Sequence, residues 1–381
     1  MKVLAVTGTR ADWGLLVPVL NLLRDDDRFS LEIAATGQHL MPGSASLAAM
    51  AADGHRPTYH MDMGLTDDDR PQALAQGMGA AVALMGQTLA ASQPDVVLVL
   101  GDRYEILAVA LAAVVALVPI VHLCGGDVTE GAMDDSIRHA LTKLATLHFP
   151  TNAESAARIV QLGENPMHVH AVGSTGIDRI LSLDPMPRAA FFQAVGLTPK
   201  AQNFVITFHP ATLSEDSTAQ AQSMLDALSA FPDAGLIFTG SNADPGARAI
   251  DALVQDFVAR RGAGAVFHAS LGSMRYFSAL RHCDLVIGNS SSGIMEAPSF
   301  HLPTINIGDR QARRPRAASV IDCEPTPEAT AAAMRRGLTL DCSQMTSPFG
   351  DGQAAHRILA HLGRITRPRD LLRKSFVDVS I

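Results

Sequence analysis

The sequence predicts an α/β protein of two doubly wound domains with a cleft between them. Three observations carry that expectation: the length of the chain, an alternation of short apolar runs with helical patterns, and a restart of the alternation half-way along. At 381 residues, 47% of them hydrophobic, the chain exceeds what one core ordinarily organises.

In the first half, β-branched runs at 3–7, 31–36, 95–100, 120–123 and 168–172 alternate with helical patterns at 15–24, 73–91, 104–117, 135–147 and 153–162. Runs apolar on both faces mark a parallel sheet covered by helices. The rhythm restarts with runs at 203–208, 235–239, 265–268, 285–288 and 304–307, set between helical patterns at 218–230, 247–261, 273–283 and 292–300. The junction GSTGIDRILSLDPMPRAA holds Gly173, Gly176, Pro185 and Pro187 and reads as a hinge. The expected domains are therefore 1–175 and a second one beginning at 176. In such sheets ligands sit beyond the carboxyl ends of the strands.

Charge and cysteine usage narrow the class. A net charge of -8 makes nucleic acid and anionic membrane surfaces poor partners. The densest basic stretch, 310–316, is too short for a nucleic-acid groove. Cys124, Cys283, Cys323 and Cys342 are widely spaced with no CxxC pair, which fits reduced thiols in a cytoplasm. The opening MKVLAVTGTRADWG reads as a first strand, too short for the apolar region of a signal peptide. The longest apolar run, 106–121, contains Pro119 and falls short of the roughly 20 residues that span a bilayer.

Chemistry gathers at two kinds of strand end. HLCGGDVTEGAMDDSIRHALTK, residues 122–143, sets Asp127, Glu130, Asp134 and Asp135 close together, followed by Arg138. Asp134 or Asp135 is a natural cap for the helix that follows, which accounts for one carboxylate. Asp127 and Glu130, behind a Gly-Gly turn, are not accounted for that way. VVLVLGDRYEILAV brings Asp102 and Arg103 to the same rim, with Asp102 readable also as a helix cap. Carboxylates crowded at a cleft perturb one another, which provides an acid and a base in one place. His209, in ITFHPATL, ends the first strand of the second domain; it is catalytic or structural with equal claim. No H-x-x-x-H or D-x-D spacing supports a metal.

The other end favours anions. DLVIGNSSSGIMEAPSF is a strand, a turn and a helix start, placing Ser290, Ser291, Ser292 and Gly293 where hydroxyls and free N–H groups meet a phosphate, and Glu296 one turn in, where it can accept from a ribose. Ser-rich turns also cap helices with no ligand at all. Arg10, at the tip of the first strand in VTGTR, is either a phosphate ligand or a solvated side chain. Neither GxGxxG nor GxxxxGK[ST] is present, so a dinucleotide cofactor is not expected.

Taken together, GTRADWG, GDRYEILA, GGDVTEGAMDDSIRHALTKLATLHF, TFHPATL, GNSSSGIMEAPSF and INIGDRQARRPRAASVIDC closely resemble the hydrolysing UDP-N-acetylglucosamine 2-epimerases of nonulosonate (sialic and legionaminic acid) biosynthesis. They fall in chain order across most of the sequence. The resemblance implies the GT-B fold, with a second domain over 176–355 and a C-terminal helix in 356–381 crossing back to the first. It implies anti elimination of UDP across C1–C2 and addition of water to the resulting glycal, with no metal or nicotinamide. By resemblance Asp102, Asp134 and His209 match catalytic positions; Arg10, Ser291, Ser292, Glu296 and Arg314 match nucleotide-binding ones. Asp127 and Glu130 join the catalytic candidates from the local argument, and Arg103, Arg138, Ser290 and Gly293 the substrate-binding ones. Cys124 departs from the pattern: many members that use UDP-N-acetylglucosamine carry Glu there, and some relatives His. A homo-oligomer, dimer or tetramer, is common in the family. The same family takes UDP-N-acetylglucosamine or 2,4-diacetamido-trideoxy sugars.

Three other readings share parts of this pattern. A GT-B glycosyltransferase shares the fold but needs an acceptor site. A non-hydrolysing epimerase carries a His-Arg-Arg-Glu-Asn-type motif where this chain has FHPATL. A UDP-sugar sensor binds without turnover.

Overall fold

The structure, a computed structural model, describes all residues except 67–69, 130–132, 211–216, 242–245, 313 and 379–381. The chain forms two compact units, one of Met1–Arg179 with Phe349–Ile381 and one of Ile180–Pro348. Each contains a six-stranded parallel sheet.

In the first unit the strands are β1 (Lys2–Thr7), β2 (Ser30–Thr36), β3 (Tyr59–Met61), β4 (Val96–Leu100), β5 (Ile120–Leu123) and β6 (Leu147–Phe149), in the spatial order β3-β2-β1-β4-β5-β6. Every residue of β4 and β5 is buried, as expected where helices cover both faces of a parallel sheet. On one face β1 and β4 pack against Leu16, Leu20 and Leu23; on the other they meet Met85, Ile106 and Val109. The strand order reverses between β1 and β4, the crevice in which open α/β sheets bind ligands.

The second unit repeats the plan with β7 (Asn203–Thr207), β8 (Gly235–Thr239), β9 (Ala265–His268), β10 (Leu285–Gly288), β11 (Thr304–Ile307) and β12 (Val320–Cys323), ordered β12-β11-β10-β7-β8-β9. Its reversal lies between β7 and β10. Both units are thus Rossmann-like, as in GT-B proteins.

The return of the chain to the first unit begins at Phe349, earlier than the expected 356, and the first stretch of that unit runs to Arg179 rather than 175. Local bonds explain both limits. Ser174 N–H donates to Phe349 O at 2.7 Å. Gly173 and Gly350 pass so closely that a Cβ on either would lie 3.1–3.2 Å from the other's backbone. The helix Ala354–Leu362 has no capping side chain of its own at Gln353. Asp178 supplies one, its carboxylate accepting from Ala354 N–H at 3.0 Å and Ala355 N–H at 2.6 Å.

Three local expectations are corrected. Residues 168–172 do not form a strand: Pro166–His168 is a 3₁₀ turn, and one bridge joins His148 to Val169. The edge strand is instead β6, whose first residue, Leu147, the expected helix 135–147 includes; that helix stops at Leu144. The expected helix 292–300 is two short pieces, Ser291–Met295 and the 3₁₀ turn Ala297–Phe300. Pro298 lacks the N–H that would continue it. The short edge strands β3 and β12 each contain a charged or polar residue and show no continuous apolar run. Among the described residues no helix is long and apolar enough to cross a membrane.

Candidate active site

Arg138 organises the acidic end. It lies in the helix Met133–Leu144 and is buried. Its guanidinium bonds Asp102 through Nε at 2.7 Å and through Nη2. It also donates to Asp127 O at 3.0 Å and Thr129 Oγ1 at 3.1 Å, and lies 3.4 Å from Asp135 Oδ1. One side chain therefore ties the loop after β4 to the loop after β5. A planar fork with five donors suits this task; a single ammonium does not. Asp127 turns its carboxylate the other way and accepts from Ser155 Oγ at 2.5 Å.

The two helix-start carboxylates differ from the sequence expectation. Asp134 and Asp135 lie inside the first helical turn rather than at its cap. Asp135 Oδ1 accepts from Thr129 N–H at 2.6 Å. Asp134 has no hydrogen-bond or ion-pair partner among the described residues. Glu130 lies outside the described residues.

Cys124 leaves β5 with φ +62°, the left-handed region that costs a side chain about 1–2 kcal/mol. Its N–H still bonds Phe149 O at 3.1 Å, so the turn redirects the thiol without loss of pairing. Burial, then Asp127, Asp102 and Asp12, push the thiol up to about 12. It stays protonated and is no nucleophile. Behind it, His122 Nε2 meets Gly101 O at 2.7 Å, and burial lowers that ring to about 4. A neutral imidazole thus fixes the loop that carries Asp102.

The crevice between β1 and β4 holds a second group. Thr9 caps the helix Arg10–Arg24, and Asp12 returns the bond to Thr9 N–H at 3.0 Å. Burial raises the Asp12 carboxyl to about 6, against bonds from Thr9 and Gly8 that lower it; Glu105 adds to the rise. Arg103 Nε donates to Glu105 Oε1 at 2.7 Å. Arg10 Nε reaches Ser46 Oγ at 3.2 Å. Thr9, Arg10, Ala11, Gln38, Ser44, Ser46 and Arg103 line one cavity of about 320 Å³. Two guanidinium groups and three hydroxyls make its wall suited to an anion.

In the second unit, Asn289 follows β10 and clamps His209 after β7. Its Oδ1 accepts from His209 N–H at 2.7 Å, and its Nδ2 donates to His209 O at 2.8 Å. Ser290 caps the short helix, accepting from Ser292 N–H at 3.4 Å, while Gly293 N–H donates to Ser290 O at 3.2 Å. Two of the N–H groups expected to be free are therefore used within the turn. Ser292 Oγ is engaged too: it accepts from Tyr276 OH at 2.6 Å and donates to Glu296. Burial raises the Glu296 carboxyl despite that bond. Gly293 is required by packing, since a Cβ there would lie 2.7 Å from Thr304 Cγ2. Ser291 is left as the hydroxyl without a partner among the described residues. Arg314 Nη1 lies 3.2 Å from Met295 Sδ, beside this turn.

Asp12, Glu105, His122 and Asn289 escaped the sequence reading. Glu105 carried a usable signal, a lone carboxylate in an otherwise apolar helix. Asn289 looked like one more turn residue.

Residues 21–363 match the family model described as UDP-N-acetylglucosamine 2-epimerase. The chain belongs to that family. A relative from Campylobacter jejuni, a GDP/UDP-N,N'-diacetylbacillosamine 2-epimerase (hydrolyzing), is 36% identical over 85% of this chain and 84% of its own. The UDP-N,N'-diacetylbacillosamine 2-epimerase (hydrolyzing) of Legionella pneumophila is 33% identical over 98% of both chains. The fold matches a UDP-GlcNAc 2-epimerase from Neisseria meningitidis solved with UDP-GlcNAc, with a TM-score of 0.78 at 18% identity over 95% of this chain and 99% of that one.

Proposed function

We propose that this family member is a hydrolysing 2-epimerase, converting a UDP-2-acetamido sugar and water to UDP and the free C2-epimeric sugar. A base takes the C2 proton, the electron pair forms the C1–C2 double bond, and the C1–O bond breaks as UDP leaves. Water then adds across the glycal, its hydroxyl to C1 and a proton to C2 from the opposite face. The net reaction consumes one water and needs no cofactor. The observation that carries the reading is the Asp102 carboxylate locked by buried Arg138, with Asp127 on the loop that Arg138 ties to it and Asp134 one turn before Arg138 on the same helix. A positioned acid or base of this kind contributes roughly 10²–10⁴-fold.

Asp102, Asp127, Glu130 and Asp134 are assigned to proton transfer, with His209 joining them by family resemblance. Arg10 and Arg103 are assigned to anionic oxygens at the cavity wall. Ser290, Ser291, Gly293 and Arg314 are assigned to the nucleotide, with Ser292 holding Glu296 in place for the ribose.

For the sugar, Cys124 supports the 2,4-diacetamido class. A small, uncharged side chain where Glu is common leaves room and removes a charge, which favours a bulkier, less polar substituent on the ring. The names of the Campylobacter and Legionella relatives agree with this. A homo-oligomer is supported by the helices Pro71–Ser92 and Tyr104–Val115, which pack together and expose no charged residue between Pro71 and Ser92 and none after Glu105, yet expose Leu111, Val114 and Val115. Four free thiols support a reducing cytoplasm.

The test is incubation with each UDP-sugar in D₂O without an acceptor, followed by NMR. UDP release with deuterium at C2 of the product is expected. UDP release without C2 exchange would exclude the elimination. Cys124→Glu is expected to shift kcat/KM toward UDP-N-acetylglucosamine; an unchanged preference sinks the sugar assignment.

A further inference from the structure

Glu105 is the most deeply placed carboxylate beside the cavity, and the scheme above gives it no task. It stands in the first turn of the helix Tyr104–Val115 with no exposed surface. Oε1 holds Arg103 Nε at 2.7 Å. Oε2 is buried with no hydrogen-bond partner among the described residues. An uncompensated buried oxygen is costly and is retained where something else depends on it.

The surroundings are shaped to admit it. A Cβ at Gly8 would fall 2.5 Å from Glu105 Oε1, and one at Gly37 would fall 3.1 Å from the same atom. The loops after β1 and β2 therefore both give way to this one carboxylate. Its charged and titratable neighbours are Arg103, Tyr104 and Asp12. Arg103 is the member that reaches the cavity wall, where it lies with Arg10, Ser44 and Ser46. It also lies over the Tyr104 ring, 5.3 Å from the centroid. The bond to Glu105 is made by Nε rather than by the terminal nitrogens, which suit bidentate bonding to phosphate.

We propose that Glu105 is a positioning residue for substrate binding: it anchors the Arg103 guanidinium in the cavity wall and so sets the affinity of that wall for the diphosphate of the substrate. This rests on the reading of the cavity as part of the substrate site. A flexible arginine loses rotamer entropy on meeting an anion. One held by a buried partner has lost it already, and the preorganisation appears as affinity.

The experiment is a double-mutant cycle on the full chain, with UDP affinity by calorimetry and steady-state kinetics on the sugar that is turned over. Glu105→Gln keeps the shape but removes the charge, and Arg103→Gln removes the anchored group. Each is expected to weaken UDP binding and raise KM about tenfold, the weight of a charge-assisted bond, with kcat within about twofold. In the Arg103→Gln background, the Glu105 change is expected to add nothing further, because Glu105 acts through Arg103. A general loss of fold would instead add its own effect there. If the Gln variant does not fold, Glu105→Asp, which withdraws the oxygen by one methylene, must show the same rise. A higher KM for Arg103→Gln with native KM for the Glu105 variants overturns the proposal and leaves the cavity reading standing. Unchanged UDP affinity in Arg103→Gln and in Arg10→Gln overturns the cavity reading, and the proposal with it.

Discussion

Replacing Arg138 with Lys tests whether one fork holds the acidic end together. Lysine keeps the positive charge but offers one nitrogen where Arg138 contacts Asp102, Asp127 O, Asp135 and Thr129. Breaking a fully buried ion pair costs about 3–5 kcal/mol. Here the Asp102 side chain is 23% exposed and the charge survives, so about 1–2 kcal/mol is the reasonable loss. In a unit of about 200 residues that corresponds to a fall in Tm of about 2–8 °C. The effect on turnover is larger in proportion. Asp102 is released to move by an ångström or more, and a displacement of that size costs about 10²-fold in rate. The expected result is kcat down about 100-fold with KM for the UDP-sugar little changed, read by steady-state kinetics beside a thermal melt. A variant with a lowered Tm and native kcat would show that Arg138 serves only the fold. Native values of both would refute the claim that its bonds position Asp102.

Two further outcomes follow from the same kind of reasoning. Asn289→Leu keeps the side-chain volume but leaves His209 N–H and C=O without their clamp, which costs about 1–3 kcal/mol in chemical denaturation and is expected to lower kcat about tenfold or more; kcat unchanged with that stability loss would detach His209 from the chemistry. Glu164 is raised by burial, but bonds from His148, Lys143 and Lys374 outweigh that and hold it down to about 2, under its ordinary 4.5. Its stabilising contribution is therefore present above pH 4.5 and lost as pH falls toward 2, so Glu164→Gln is expected to flatten the acid limb of a Tm-against-pH curve, and curves that stay parallel would count against the network.

What the sequence made legible depended on how local the signal was. Strands β1, β4, β7 and β10 are apolar on both faces, and their runs stand out without any knowledge of partners. Strands β3, β6 and β12 are edge strands of three or four residues that each contain a polar residue, so they lack the continuous apolar run that marks β10 at the same length. The end of the helix Met133–Leu144 was misplaced because part of its stop signal is distant: Lys374 Nζ caps it, donating to Lys143 O at 2.6 Å and Ala145 O at 2.7 Å. The same holds at the candidate site. Asp102 and Asp127 were visible as carboxylates behind glycine turns, but that Arg138 joins them is a fact of the fold. Asn289 was invisible in principle, because an asparagine that clamps a backbone 80 positions away has the same local sequence as one that caps a turn.

The two units apply one rule with different side chains. In each, the sheet order reverses at the first and fourth strands, so that the connections after them leave in opposite directions and open a crevice at their carboxyl ends. The loops beyond the strand ends have no ladder to hold them, so bridging side chains fix their backbone. In the second unit the bridge is neutral: Asn289 spans from β10 to the His209 backbone and holds it at both polar atoms. In the first unit it is charged: Glu105, in the helix after β4, reaches under Gly8 after β1 and takes Arg103 as its partner. A neutral amide fixes a backbone without adding a field, and suits a crevice that presents an imidazole. A carboxylate–guanidinium pair fixes the loop and leaves a cation at the surface, and suits a wall that meets an anion. The division of labour proposed for the two units, with Arg10 and Arg103 in the first crevice and a held histidine beside the nucleotide turn in the second, fits that difference in bridging chemistry.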